Sequence, residues 1–516
     1  MAAGTVPASG TIWRRELEGE AAITAIAADV AALVGPGDLV TLSGGLGAGK
    51  TALARALIRI LTGEQDLEVP SPAFTLMQLY EGLNFPIVHA DFCRIEKPRE
   101  LLELGFEEAC DGALVLVEWP EHAGGFLDAG GLDIDLRLDK DRGPSYRAVT
   151  LTGIGPFATR LARAKAVHEL LDRSGWSGAR RDFMEGDAST RSYEHLLKPN
   201  GQSAILMFSP PRPDGPPLRY GKSYSAIAKL AEDIRAFVAV DQELRVQGLS
   251  APEIIAFDLA AGLAIVEDLG CEPIACGGAI IEERYAVALA GLAHLHCASV
   301  PDTLALDGNE TYRIPSYDAD ALSIEIELLL EWYAPFIAGV RLASGAKATF
   351  VNLWRQMVQD LLATRPVWTL RDYHSPNLLW LAGREGIAKV GVLDFQDCVL
   401  GHPAYDVVSL LQDARVDVPQ GAELKLLAHY ARLRREEDAG FDAAGFARAY
   451  AILGAQRATK VLGIFARLDE RDHKPQYLAH LPRVEKYLAT DLTHPALAEL
   501  KLWYEEHLPC IFARAP

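Results

Sequence analysis

The chain has 516 residues, 49% of them hydrophobic and 23% charged, enough for two or three domains that each bury a core. Its formal net charge is −20, and the first 160 residues carry half of it, so neither part is a basic nucleic-acid module held by phosphate neutralisation. Seven scattered cysteines without a CxxC pair, no apolar leader and no apolar run of about 18 residues point to a reduced cytoplasmic protein with no membrane span.

In chain order, "AAITAIAADVAALV" has helical spacing, "GPGD" breaks it, and "LVTLS" reads as a short buried strand. A glycine loop follows, then a helix at "KTALARALIRIL". Further strands are expected at "PIVHA", "GALVLVEW", "LDIDLRL" and "YRAVTLTGIG", closing an α/β unit near residues 155–165, where a new helix begins. The stretch "RSYEHLLKPNGQSAILMFSPP" reads as two strands about a "PNG" turn. Beyond the Pro/Gly-rich "PPRPDGPPLRYG" the pattern is mainly helical, interrupted by short strands at "LAIVEDLG", "NLLWL" and "KVGVLDF".

The glycine loop fits G-x-x-x-x-G-K-[ST] through Gly44, Gly49, Lys50 and Thr51, with Gly45 and Gly47 between. Glycines let backbone N–H groups face the phosphates, and the helix N-terminus adds positive potential. Lys50 would reach the outer phosphates and Thr51 would ligate Mg²⁺. Such a site needs a carboxylate at the C-terminal end of a strand, and Asp91 and Glu118 both stand where an apolar strand turns polar. Trp119 reads as packing.

The loop, with "VPSPAFTL", "HADFCRI" and "LVEWPE" in that order, resembles the small ATPase subunit of the bacterial tRNA threonylcarbamoyladenosine machinery over residues 10–155. The resemblance implies an ATPase that supports threonylcarbamoyl transfer through protein partners, the other subunits of the tRNA threonylcarbamoyltransferase, and meets tRNA only indirectly. Asp91 becomes the Mg²⁺-linked acid and Glu118 a catalytic acid. Two departures stand out: Ala73 replaces a hydroxyl that would face the metal and γ-phosphate, and Cys93 replaces a tyrosine.

In the C-terminal part, "WTLRDYHSPNLLW" carries Asp372 and Asn377, and "KVGVLDFQD" places Asp394 beyond a short strand. Kinase-like enzymes need this set: one Asp meets the acceptor hydroxyl, and an Asn and a second Asp hold the metals that bridge the ATP phosphates. With "GDASTRSYEHLL", "ILMFSPP" and "VEDLG", the segment from residue 164 to 516 resembles the aminoglycoside phosphotransferase and choline kinase superfamily, and within it the bacterial N-acetylmuramate/N-acetylglucosamine anomeric kinases. The resemblance implies ATP-dependent phosphorylation of a sugar C1 hydroxyl. Asp372 becomes the base or orienting acid, Asn377 and Asp394 the Mg²⁺ ligands, Glu267 to Gly270 (Leu269 included) the adenine hinge, and Gly186 and Ser189 the phosphate cover. Met207 stands where the superfamily's phosphate-pairing lysine is expected, leaving Lys198 or Arg191 as the replacement cation. His294 and His296, two apart on a helix, point away from each other and make no metal site. His374 reads as orienting the loop, and Asp406 as anchoring it.

The expected organisation is therefore α/β: a P-loop ATPase domain at 1–158 and a two-lobed kinase-like domain at 164–516, its β-rich lobe at about 164–268 and its helical lobe at about 269–516. Both would use ATP and Mg²⁺ through unrelated folds. Two rivals remain at this point: a nucleotide-gated partner-binding module with little hydrolysis for the first domain, and choline, an aminoglycoside or another small alcohol as acceptor for the second.

Overall fold

Short strands apolar at every position must be covered on both faces, which a parallel sheet under helices provides. The computed structural model describes residues 10–513 except 98, 104, 125, 126, 128, 129, 140, 185–190, 213 and 214. Its contacts divide the chain into two units, Met1–Ser177 and Gly178–Pro516.

The first unit contains β1 (Thr11–Glu18), α1 (Gly19–Ala31), β2 (Leu39–Ser43), α2 (Lys50–Thr62), β3 (Met77–Glu81) and β4 (Pro86–Asp91). Two short helices, α3 (Glu100–Glu103) and α4 (Phe106–Cys110), precede β5 (Leu114–Glu118), β6 (Gly131–Leu138), β7 (Tyr146–Ile154) and α5 (Pro156–Arg173). The strands form a seven-stranded sheet in the order β1-β7-β6-β2-β5-β4-β3. β2, β5 and β4 run parallel at its centre, with Leu42 and Asp91 both opposite Glu118. This register brings the polar ends of three apolar strands to one edge, the place where open α/β sheets receive ligands.

α5 differs from the sequence expectation. The sequence puts the junction at 155–165 and assigns the helix beginning there to the second domain. In the structure Phe157 and Leu161 are buried in one core with Trp13, Val149 and Leu151 of β1 and β7. Arg160 adds a two-pronged ion pair to Asp38, at 2.6 and 2.7 Å. The helix thus closes the first sheet, and the division falls after it.

The second unit opens with a five-stranded antiparallel sheet, order β11-β12-β10-β9-β8. Its strands are β8 (Arg180–Met184), β9 (Ser192–Leu197), β10 (Ser203–Phe208), β11 (Ile254–Asp258) and β12 (Leu263–Glu267), with α6 (Tyr224–Ala228) and α7 (Ile234–Val246) inserted after β10. β9 and β10 form the expected hairpin, pairing Leu197 with Ser203. The remainder is mainly helical, and its longest helix, Ala443–Glu470, runs through the core. Within it Val367–Thr369 pairs with Val399–Gly401, and Leu378–Trp380 with Val390–Val392. The second pair is a hairpin whose two ends carry Asn377 and Asp394. Among the described residues no helix is long and apolar enough to cross a membrane.

Candidate active sites

In the first unit the chain leaves β2 through a loop that only glycine can make. Gly44 has φ 132°, and a Cβ there would lie 2.2 Å from the Leu136 carbonyl oxygen. Gly49 has φ 106° immediately before α2. The loop is braced from outside by Arg147, whose Nε donates to the Ala48 carbonyl at 2.8 Å. Gly45 and Gly47 complete the turn, Gly47 with φ 78°.

Lys50 opens α2 and is buried. Its Nζ donates to the Gly44 and Gly45 carbonyls at 2.7 and 3.1 Å and lies 3.7 Å from the centre of the Trp119 ring. Burial lowers its pKa, against the opposing pull of Glu118, Glu121 and Asp91. Trp119, which reads as packing in the sequence, therefore covers the lysine with its aromatic face. Thr51 Oγ1 donates to Glu118 Oε2 at 2.9 Å. Asp91 Oδ2 accepts from Ser71 Oγ at 2.6 Å, and its Oδ1 accepts from the Cys93 amide at 3.0 Å.

Sequence reasoning missed His89. It is fully buried on β4, and its Nε2 lies 3.0 Å from Glu118 Oε1, so it fixes the carboxylate that Thr51 contacts. β4 is buried without a break from Ile87 to Asp91, so a histidine inside that apolar run was the available signal.

The donor set fits a magnesium nucleotide. Among the described residues no three His, Cys, Asp or Glu side chains gather as a metal site by themselves. Mg²⁺ in phosphate sites takes one or two protein oxygens and completes its shell with phosphate and water. Thr51 with Asp91 and Glu118 behind it provides that set, and the glycine cradle leaves the space a Cβ would fill.

The second site is built on the catalytic loop between Thr369 and Leu378. Helix Ala404–Leu411 is buried along its whole length, so the Asp406 carboxylate needs internal partners. It accepts from the Leu370 and Arg371 amides at 2.7 and 2.8 Å, the anchoring role its position suggested. Asp413 holds the next turn by accepting from the Ser375 amide at 2.8 Å. Arg371 takes a left-handed φ of 67° and sends its buried guanidinium to Glu325. Burial alone would raise the Glu325 pKa, but Lys460 and Arg371 outweigh it and hold it down at about 2. These clamps fix the backbone that carries the half-buried Asp372.

Asn377 donates from Nδ2 to the Asp372 carbonyl at 2.9 Å and lies 3.5 Å from Asp394 Oδ2. Asp394, also at positive φ (57°), accepts at Oδ1 from Arg191 Nη2 at 2.7 Å and from Gln396 Nε2 at 2.9 Å. Asp372, Asn377 and Asp394 thus share one edge of one hairpin. Met207 is buried and packs with the core, so the strand contributes no charge there. Of the two cations considered from the sequence, Arg191 is the one brought to Asp394, while Lys198 sits on the β9–β10 turn with its amide bonded to the Gln202 carbonyl.

The hinge is also ordered by its own side chains. Glu267 pairs with Arg384, and its amide donates to the Glu253 carbonyl. Asp268 accepts from the Gly270 amide at 2.9 Å and lies 3.1 Å from His195, while Leu269 packs toward Gly391. Gly186 and Ser189 lie outside the described residues. His294 and His296 face different partners, the Gln247 carbonyl and the Tyr430 hydroxyl.

A P-loop with two strand-end carboxylates and a kinase-like Asp–Asn–Asp set define a chain with two separate phosphate-handling units. Residues 17–147 match the family described as threonylcarbamoyl adenosine biosynthesis protein TsaE, and residues 183–450 the phosphotransferase enzyme family. The chain is 40% identical over 359 residues to an N-acetylmuramate/N-acetylglucosamine kinase of Caulobacter vibrioides, covering 67% of this chain and 97% of that protein. A kinase of the same name from Pseudomonas aeruginosa is 34% identical over 343 residues, 64% of this chain and 90% of that one. The tRNA threonylcarbamoyladenosine biosynthesis protein TsaE of Rickettsia typhi is 43% identical over 103 residues, 20% of this chain and 71% of that protein. The chain belongs to the phosphotransferase enzyme family and carries an N-terminal domain of the TsaE family, a fusion of the two.

Proposed function

We propose that the second unit transfers the γ-phosphoryl group of ATP to the C1 hydroxyl of N-acetylmuramate or N-acetylglucosamine. The first unit, on this reading, hydrolyses ATP in support of tRNA threonylcarbamoyladenosine formation through protein partners. The observation that carries the kinase assignment is the clamped Asp372 beside Asn377 and Asp394, within a segment that spans nearly the whole of an amino-sugar kinase. Asp372 accepts the hydroxyl proton and orients its oxygen. Asn377 and Asp394 would hold Mg²⁺, which when bound neutralises charge on the phosphates. In the first unit Lys50, Thr51, Asp91 and Glu118 would hold the nucleotide and its ion, and His89 keeps Glu118 in place. An acceptor screen with phosphorus NMR tests the kinase: the product should carry an acid-labile phosphate on the anomeric carbon. Phosphate on the 6-hydroxyl, or turnover of choline or aminoglycosides alone, overturns the assignment.

Arg191 takes the place of the missing strand lysine on this reading. Its guanidinium is held on Asp394, beside the carboxylate that would hold Mg²⁺, and would supply a charge-assisted donor to the phosphates there. Arg191→Met is expected to raise the KM for ATP and lower kcat/KM by about tenfold to a hundredfold, as for a lost charge-assisted hydrogen bond. Lys198→Met should change it by less than about twofold, as for a half-buried turn position whose amide bonds the Gln202 carbonyl. Steady-state kinetics with ATP varied check both, and a larger effect at Lys198 reverses the ranking.

A further inference from the structure

N-Acetylmuramate differs from N-acetylglucosamine by a lactyl ether that ends in a carboxylate, so an enzyme taking the former needs a cation on its acceptor side. In a chain of net charge −20 such a group has to be locally concentrated. Near the catalytic loop, Arg457 stands on the long helix Ala443–Glu470, and Arg415 follows helix Ala404–Leu411. Arg457 Nη2 donates to Ser409 Oγ at 2.7 Å, and that hydroxyl donates to the Arg371 carbonyl at 3.0 Å, one residue before Asp372. Its Nε is buried without a hydrogen-bond partner, and among the described residues no carboxylate lies within ion-pair distance of it. Asp413 accepts from the Ser375 and Arg415 amides, each at 2.8 Å. Arg457 also lines a small crevice with Gln412, Ala414, Val484 and Tyr487, and Gln412 Oε1 there has no partner.

The Arg457 guanidinium, with no carboxylate within ion-pair distance among the described residues, repels a cationic acceptor and attracts an anionic one.

We propose that Arg457, supported by Arg415, is the carboxylate-recognition element of the acceptor site and sets the preference between N-acetylmuramate and the neutral N-acetylglucosamine. The proposal rests on the amino-sugar reading above. It makes Arg457 a specificity residue whose effect follows the charge of the acceptor, whereas a residue that merely supports the loop through Ser409 would affect both sugars alike.

The test is the ratio of kcat/KM for the two sugars, measured on the full chain. Arg457→Gln is expected to lower the N-acetylmuramate to N-acetylglucosamine ratio by about tenfold or more, mainly through the KM for N-acetylmuramate. Arg457→Lys, which keeps the charge and loses the planar fork, should fall between that variant and wild type, and Arg415→Gln should shift the ratio less and in the same direction. Equal losses for both sugars overturn the proposal, as does wild-type turnover of N-acetylglucosamine without N-acetylmuramate. If Arg457→Gln fails to fold in a melting experiment, Arg415→Gln carries the test, and an unchanged ratio there rejects the pair. If wild type phosphorylates neither sugar, the amino-sugar reading fails and the proposal falls with it, an outcome distinct from an unmoved ratio.

Discussion

Asp372→Asn is expected to lower kcat for sugar phosphorylation by about a thousandfold, within the range a positioned general base contributes, while ATP affinity stays near wild type. Asparagine preserves the shape of the side chain but cannot take the hydroxyl proton. The surrounding loop does not depend on that carboxylate: Asp406 holds the Leu370 and Arg371 amides, Asp413 holds Ser375, and Asn377 bonds the Asp372 carbonyl. Asp394→Ala should behave oppositely, weakening nucleotide binding, because it removes the oxygen that Arg191 and Gln396 position for the metal. Steady-state kinetics and a nucleotide titration separate the two. A near-normal kcat in Asp372→Asn means that the acceptor hydroxyl meets another group.

Local signals explain what was readable in the sequence. The glycine loop was legible because positive φ at Gly44 and Gly49 demands glycine whatever surrounds it. Asp91 and Glu118 were legible because each ends an apolar strand, and the parallel register sets them side by side. The Asp372–Asn377–Asp394 spacing was legible because the hairpin between Leu378 and Val392 fixes it. Contacts between distant segments gave no such signal. Arg191 and Asp394 are over two hundred positions apart, so the choice between Arg191 and Lys198 waited for coordinates. The buried Glu325, Arg371 and Lys460 come from three separate elements, and "EIELLLEWY" has the appearance of a solvated face although Glu325 is fully buried. β8 was missed because all five of its residues are exposed, which removes the alternation that marks a half-buried strand. α5 was assigned to the wrong neighbour because a helix following a strand carries no mark of which sheet it will cover.

Lys50→Ala is expected to weaken nucleotide binding by the first unit by about a hundredfold or more while sugar phosphorylation persists. The size follows from what surrounds the lysine. Asp91 and Glu118 are both buried at this edge of the sheet, and Lys50 is the cation that closes over the loop carbonyls in front of them. Without it a polyphosphate would approach two buried carboxylates with the loop's backbone amides and the Thr51 hydroxyl, and no lysine over the loop, to offset the repulsion. The kinase residues lie in a different unit, on a core of their own, so their ATP site does not depend on Lys50. Isothermal titration should therefore fall from two nucleotide sites per chain in wild type to one in Lys50→Ala, and to one of the other kind in Asp394→Ala. Loss of both activities in a folded Lys50→Ala protein would show that the chain works through a single nucleotide site, and two independent phosphate sites would have to be abandoned.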